Sequence, residues 1–403
     1  MNILFLTLSN INSFEDQGLY VDLLNSLREK GNNIYVVSPI EKRNNEADRL
    51  ITDEDSYILK LKVGNITKTN MIEKGISTLL IEKQYIKGVK KYFADVTFDL
   101  ILYSTPPITL EKVIRYIKKR DKAKTYLLLK DIFPQNAVDL KILEPTGLKS
   151  IILRYFFRKE KRLYEISDYI GCMTKNNVNF ILSNNEIDPQ KVEICANSIS
   201  PFEIRSEENK KSEIRKKYGI PENSVVFIYG GNLGKPQGIE YLLSNIAECN
   251  FKEAFFVIVG SGTEYNNLKI GIDELGLSNT LLISSLPKEE YNQLVSTVDV
   301  GMIFLNPDFT IPNFPSRFLT YLQASLPVIA ATDDNCDLQY LLEENQLGFW
   351  SNTRDSEKFK INIEKLLDPK VRKENSSYSY SFLKENYDVR IASEIILNHF
   401  NME

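Results

Sequence analysis

The chain has 403 residues, with 50 Lys and Arg against 54 Asp and Glu, one His and four Cys. Hydrophobic residues make up 43% and charged residues 26%, the balance of a globular chain long enough for two or three domains. That composition excludes disordered, collagen-like and disulfide-framework chains.

Cys172, Cys195, Cys249 and Cys336 form no C-x-x-C pair, so neither a zinc site nor a redox pair is signalled. Free thiols of this kind suit a reducing cytosol. The single histidine, His399, lies among Ile395, Ile396, Leu397 and Phe400. It excludes a Ser-His-Asp hydrolase and a multi-histidine metal site within one chain, and a helix-face role is expected for it.

In chain order, residues 3–8 read as a buried strand; the segment is too short for a signal peptide and lacks a basic start. No apolar run reaches the ~18 residues of a membrane span, so a soluble or at most peripheral protein is expected. A helix over 18–30 and a strand over 33–38 follow. Asp53-Glu54-Asp55 looks like a metal-binding triplet but sits in a polar stretch and is read as solvated. A strand over 98–103, a basic helix over about 108–120 and a strand over 125–130 come next. The strand 168–173 then opens a helix over 175–182 through Thr174, a plausible N-cap. Strands alternating with helices imply a parallel sheet covered on both faces.

The polar stretch 196–210 interrupts this rhythm, which restarts with a strand over 225–229. Strands over 255–259, 281–284, 300–304 and 328–331 belong to the second sheet, and a helix over 389–400 presents an apolar face that needs a partner. The reading is two doubly wound α/β domains, 1–200 and 201–385, followed by a terminal helical segment, 386–403.

Open parallel sheets bind ligands beyond the carboxyl ends of their strands, so a ligand is expected in a cleft between two such domains. Four loops of the second half carry suitable residues. The loop 230–238 (GGNLGKPQG) lets backbone N–H groups approach an anion, with Lys235 as a point charge; a plain tight turn is the alternative. Gly260-Ser261-Gly262 is a second turn of this type. Ser285 and Leu286, before a helix opened by Pro287, can pair with the edge of a flat base, or simply begin that helix. The stretch 309–319 (FTIPNFPSRFL) offers Ser316 as a cap and Arg317 as a fork for a phosphate. In the first half, Asp131 after a strand is a candidate base or hydroxyl-binding group, or a turn residue. Glu15, Asp16 and Gly18, after the first strand, form another edge of the expected cleft.

Charge is uneven. Residues 112–162 hold fifteen Lys or Arg and five Asp or Glu, although the whole chain carries only −4. Within them, residues 147–164 mix Ile151, Ile152, Leu153, Phe156 and Phe157 with Lys149, Arg154, Arg158, Lys159, Lys161 and Arg162. That is the composition of an interfacial helix drawn to anionic lipid, or of a packed helix with a basic outer face.

The two Rossmann-like halves, the GGNLG loop, the GSG turn and the FPSR–helix–PVIA block resemble GT-B glycosyltransferases of family 4 that build bacterial capsule and O-antigen. Residues 131–139 (DIFPQNAVD) and 309–317 (FTIPNFPSR) look like the branch that includes N-acetyl-L-fucosamine transferases. The resemblance implies a retaining, metal-independent and cofactor-free transfer from a UDP-sugar to a polyprenyl-diphosphate-linked sugar in capsular polysaccharide synthesis, peripheral at the inner face of the cell membrane. It makes 1–200 the acceptor domain and 201–385 the nucleotide-sugar domain, with the last helix returning to the first.

It further implies donor contacts from Gly231, Asn232, Lys235, Gln237, Gly260, Gly262, Ser285, Leu286, Asn313, Phe314, Ser316 and Arg317. Lys130, Asp16 and Gly18 would lie on the acceptor side, and Asp131 and Arg317 would be catalytic. Nucleic acid is not an expected partner. The sequence departs from the family where paired glutamates are usual, with Pro312 and Thr320 instead, and Asn232 and Gln237 replace the usual Arg and Lys. An apolar wall of Pro312 and Phe314 would suit a 6-deoxy sugar. A UDP-sugar 2-epimerase of the same architecture and a non-catalytic UDP-sugar-binding partner are the rival readings.

Overall fold

The computed structural model describes residues 1–66, 69, 71–147 and 149–400. The chain divides into two compact units, Met1–Ser200 with the C-terminal helix, and Pro201–Asp388. Thr67, Lys68, Asn70, Leu148 and residues 401–403 lie outside the described residues; Leu148 falls within the basic segment 147–164, and 401–403 within the terminal segment 386–403.

The first unit runs β1 (Asn2–Leu6), α1 (Leu19–Glu29), β2 (Asn33–Glu41), β3 (Arg49–Asp53), β4 (Ser56–Val63), α2 (Met71–Tyr92), β5 (Leu100–Thr105), α3 (Glu111–Asp121), β6 (Lys124–Leu129), short α4 (Gln135–Asp139), α5 (Lys149–Ile166), β7 (Tyr169–Cys172), α6 (Lys175–Asn184) and β8 (Val192–Ile194). Its sheet has the order β3-β4-β2-β1-β5-β6-β7-β8. Thr174 caps α6 as its sequence suggests, its hydroxyl accepting the Asn177 amide. The sequence reading did not anticipate β3, β4, α2 or β8. Asp53-Glu54-Asp55 lies in a polar turn with Glu54 and Asp55 exposed, in keeping with its solvated reading, and that turn closes a hairpin in which β3 runs antiparallel to β4. Arg28 lies within 2.9 Å of Asp53 and 3.5 Å of Glu54, so these acids face a cation of the fold.

The crossovers β4→β5, β5→β6 and β6→β7 all advance in the same direction along the sheet, which puts α2, α3 and α5 side by side on one face. A buried ion cluster fixes their packing. Lys159 of α5 donates to both carboxylate oxygens of Glu82 of α2 at 3.1 Å and lies 3.6 Å from Glu111 of α3. Glu111 also accepts from Arg115 at 2.6 Å, and Glu82 accepts the Lys112 amide at 2.8 Å. Removing one partner would strand a buried charge, a loss of about 3–5 kcal/mol.

The second unit runs α7 (Glu208–Lys217), β9 (Val225–Asn232), α8 (Ile239–Ala247), β10 (Ala254–Ser261), α9 (Tyr265–Glu274), β11 (Thr280–Ile283), α10 (Lys288–Val295), β12 (Val300–Phe304), α11 (Arg317–Gln323), β13 (Val328–Thr332), α12 (Leu338–Glu344), β14 (Gly348–Asn352), α13 (Ser356–Leu366), α14 (Pro369–Ser376) and α15 (Ser379–Asn386). Its parallel sheet has the order β11-β10-β9-β12-β13-β14. The edge strand β14 was not anticipated; Gly348 and Ser351 are buried and the three other residues partly so, a spacing that lacks the two-residue period.

The last helix, α16 (Val389–Asn398), belongs to the first unit. Ile396 and Leu397 enter the core with Leu23, Leu24 and Leu27 of α1. His399 stacks on Tyr169 with ring centroids 3.7 Å apart, and its Nε2 is 2.8 Å from a Glu193 oxygen that also accepts from the Tyr126 hydroxyl. The lone histidine is thus a clasp for the chain end.

Two consequences can be measured. Ile396→Ala removes a fully buried side chain between α16 and α1 and should cost the first unit about 2–5 kcal/mol. Hydrogen exchange should then quicken in α1 and α16 alone; equal quickening in the second unit would contradict the packing. The second concerns Lys60 of β4, which is 1% exposed. Its ammonium donates to the Asn10 side chain, to the Ile11 carbonyl at 3.0 Å and to the Ser38 hydroxyl at 3.2 Å, pinning the loop that follows β1. Burial pulls its pKa from 10.5 down to about 8. Between those values the unfolded chain holds more protons, so stability relative to Lys60→Met should rise with pH from 8 to 10.5. A flat difference in urea midpoints across that window would refute it.

Candidate functional site

At the carboxyl end of the second unit's sheet, β9 and β10 stay paired through Gly231↔Gly260 and Asn232↔Ser261. The glycines make this possible by sheer closeness. A Cβ on Gly260 would lie 1.9 Å from the Gly231 carbonyl oxygen, and one on Gly262 2.1 Å from that of Leu233. On Gly230 it would meet the Tyr291 hydroxyl at 1.8 Å. Three glycines expected around an anion are therefore demanded by backbone and aromatic packing. Gly231 differs: its φ is 134°, and a Cβ there would sit 3.1 Å from Nη2 of Arg317.

Arg317 opens α11, with its guanidinium carbon 4.1 Å from the centre of the Tyr229 ring. Its Nη1 is enclosed and has no hydrogen-bond partner among the described residues. One turn on, the Tyr321 hydroxyl accepts the Gly230 amide at 3.2 Å and lies 3.1 Å from the Ile228 and Met302 carbonyl oxygens. Tyr291 of α10 adds a third enclosed phenol whose oxygen is also without a partner among the described residues. Burial lifts Tyr291 to about 12, against the pull of the Arg317 charge. A planar cation thus lies on an aromatic ring beside the glycine that ends β9, with one N–H left over. An enclosed donor without an acceptor costs about 1–3 kcal/mol, more when charged, so the arrangement favours an anion.

The other expected donor residues fall into three groups. Lys235 is exposed on a 3₁₀ turn and pairs with no acid among the described residues; Ser285 and Ser316 are exposed, and Leu286 is half-buried. Ser316 precedes α11 but its side chain makes no capping bond, a correction to its expected role. Asn232 and Gln237 are bonded to each other at 3.0 Å, and the same Gln237 oxygen takes the Gly234 amide at 3.3 Å. They brace the turn that Lys235 occupies.

Phe314 is corrected outright. It is 8% exposed and packs against Phe318 and Tyr387, with centroids 5.9 and 5.7 Å away. Pro312 is also buried, so these two make no wall for a sugar. Asn313 is tied down through its carbonyl, which accepts from the Cys336 thiol at 3.1 Å. The loop before Arg317 is core on one side, which is what its Phe and Pro residues are for.

In the first unit, Lys130 and Asp131 follow β6 at the carboxyl end of the sheet. Asp131 accepts from the Asn136 amide nitrogen at 3.2 Å, and burial lifts its pKa above the ordinary carboxyl value. Enclosure pulls the Lys130 ammonium down to about 8; it lines a small pocket with Tyr20, Leu128, Cys195, Ser198 and Val389. Ser104, buried nearby at the end of β5, has a hydroxyl without a partner among the described residues. Asp16 instead serves its own loop, accepting the Asn12 and Ser13 amides at 2.8 and 3.2 Å, and Gly18 is the exposed residue before α1. The phenols Tyr229, Tyr291, Tyr321 and Tyr20 were not foreseen. The spacing of Tyr321 four residues after Arg317 was the one available signal.

Residues 210–381, most of the second unit, match the family of glycosyl transferases group 1. A probable glycosyltransferase, WbjE of Pseudomonas aeruginosa, is 23% identical over 336 residues, covering 81% of this chain and 80% of that protein. A putative colanic acid biosynthesis glycosyl transferase, WcaI of Escherichia coli, is 26% identical over 88 residues, covering 22% of this chain and 21% of that one. Among solved structures, sucrose-phosphate synthase of Thermosynechococcus elongatus superposes with a TM-score of 0.76 at 12% identity, over 99% of this chain and 98% of that one. Alr3699/HepE of Anabaena, in complex with UDP-glucose, gives 0.69 at 15% identity over the full length of both. The solved structures give the chain the GT-B fold, and the match over 210–381 places its second unit with the glycosyl transferases of group 1.

Proposed function

We propose that the protein transfers an N-acetylated sugar from UDP to a polyprenyl-diphosphate-linked sugar in surface polysaccharide synthesis. Arg317 carries the reading: a guanidinium held on the Tyr229 ring, with an enclosed and unpartnered N–H beside Gly231. A diphosphate leaving group gains negative charge as the glycosidic bond breaks, and a preorganised cation favours that moment over the ground state. Exposed Lys235 supplies a second cation, and together they meet that charge without a metal ion or cofactor. WcaI, whose name points to colanic acid biosynthesis, supports a polysaccharide product, and the UDP-glucose complex of HepE supports a UDP-sugar donor. Retention of configuration rests on the family resemblance.

Asp131 is the acid/base candidate. Burial raises its pKa toward the range where a carboxyl can exchange a proton with an acceptor hydroxyl. The argument for a 6-deoxy sugar through an apolar wall lapses with the burial of Phe314 and Pro312, and N-acetyl-L-fucosamine stays as one member of a donor panel.

Titration calorimetry with UDP and UDP-sugars, in the absence of metal, should give micromolar binding. Arg317→Ala should weaken it about 10- to 100-fold, the loss of a charged hydrogen bond, with the fold checked by circular dichroism. Unchanged affinity in the variant would remove Arg317 from the site. Asp131→Asn should leave UDP affinity intact while slowing transfer about 10²- to 10⁴-fold. Conversion of the UDP-sugar without acceptor would turn the assignment to an epimerase, and binding without any transfer to a non-catalytic partner.

A further inference from the structure

The inward face of α5 carries a carboxyl that the packing of the helix does not require. Glu160 is 8% exposed and pairs with no cation among the described residues. Its Oε1 accepts the Tyr164 hydroxyl at 2.9 Å, one turn further along the helix. The adjacent Lys159 is turned to Glu82 of α2 and Glu111 of α3, so the buried ion cluster leaves Glu160 out. Burial pushes the Glu160 carboxyl up to about 7. The folded chain thus keeps this proton to higher pH than the unfolded chain, and stability falls as pH rises from 4.5 to about 7. A glutamine would keep the shape and the acceptor without that cost.

The side of α5 that holds Glu160 is the side set against Asp131. Phe156, Glu160 and Tyr164 recur every four residues and share one stripe of the helix. At one end of the stripe the Phe156 ring meets Phe133 edge-on, with centroids 5.3 Å apart, two residues beyond Asp131. At the other end the Tyr164 phenol, 3% exposed, feels the charge of Asp131 as well as that of Glu160. Glu160 therefore lies behind the loop 131–134, on the phenol that links it electrostatically to Asp131.

Neither carboxyl is paired with a cation among the described residues. Lys130, next to Asp131 in the chain, lines its pocket with Cys195 and loses its charge later, at about 8. Asp131 takes its side-chain hydrogen bond from the Asn136 amide, and Asp139 of α4 is bonded to Gln135. Cys172 of β7 also faces Tyr164, and Tyr20 of α1 faces Asp131; burial keeps both neutral. A change of charge on Glu160 is thus met by no compensating ion on the way to Asp131.

We infer that Glu160 is a positioning residue for proton transfer at Asp131, its carboxyl held on the Tyr164 phenol behind the loop 131–134 so that its charge sets the basicity of Asp131. This role presupposes Asp131 as the acid/base group of the transfer. A negative charge on Glu160 disfavours a second one on Asp131 in a buried setting, and so makes Asp131 the stronger base. Loss of the Glu160 proton then quickens removal of the acceptor's hydroxyl proton by Asp131. Two carboxyls coupled in this way titrate as a pair, and each shifts the other by the same amount.

That reciprocity gives a test independent of activity. In the full chain labelled with carbon-13 at the glutamate carboxyls, the Glu160 signal is the one lost in Glu160→Gln. Its titration by NMR should centre near pH 7 and move to lower pH in Asp131→Asn, where the opposing charge is gone. Tyr164→Phe should move it to higher pH, because the phenol's hydrogen bond favours the carboxylate. In transfer assays, kcat/KM should rise about threefold to tenfold across the same titration. The rise should vanish in Glu160→Gln and return in Glu160→Asp. UDP affinity and the circular dichroism spectrum should stay unchanged in every variant, which separates the effect from a folding defect. An identical Glu160 titration in Asp131→Asn would overturn the inference, as would an unaltered pH profile in Glu160→Gln. Coupled titration in a chain that transfers sugar to no acceptor would instead overturn the transfer reading and leave the pair standing.

Discussion

A guanidinium that cannot satisfy itself is the constraint on which the site of the second unit depends. Arg317 lies on Tyr229, passes Gly231 and keeps Nη1 enclosed without a partner among the described residues. The fold spends much to hold it there. Tyr321 gathers the Gly230 amide and two strand carbonyls, Tyr291 fills the space that a side chain on Gly230 would take, and β9 and β10 stay paired through their final residues. A rigid aromatic setting lets the cation stay fixed while charge develops on a ligand, which is where preorganisation exceeds flexible attraction. A surface lysine such as Lys235 adds charge but no direction.

This geometry also accounts for the unusual residues nearby. Where the family resemblance leads one to expect Arg and Lys, Asn232 and Gln237 bond to each other and to the turn between β9 and α8. Of the candidate donor residues, that leaves Arg317 and Lys235 as the cations. Where paired glutamates are usual, Pro312 is buried in a loop sewn to the core through Phe314 and the Cys336 thiol. The packing of that loop sets where α11 begins, and hence where Arg317 points.

The sequence revealed what is local and concealed what is assembled. Period and turn chemistry were enough for the alternation of strands and helices, and for Thr174 as a cap, because those depend on neighbours in the chain. The β3–β4 hairpin was hidden because the exposed residues of Arg49–Asp53 carry no two-residue period. Arg317 stood out by its place after Pro315 and Ser316, yet the rings around it come from a strand end and two helices that only the sheet order brings together. The glycines carry a demand that the sequence does not show: at Gly230, Gly260 and Gly262 any side chain would strike a carbonyl or a phenol.

The same distinction separates the two halves of α5. Its inward residues, Leu153, Lys159, Leu163 and Tyr164, are fixed by the sheet and the ion cluster, and they would be needed in any protein with this fold. Its outward Ile151 and Ile152 are exposed, and Arg158 and Arg162 pair with no acid among the described residues. Folding alone would favour polar residues at Ile151 and Ile152, since their exposure leaves roughly 25 cal/mol per Å² of apolar area unburied.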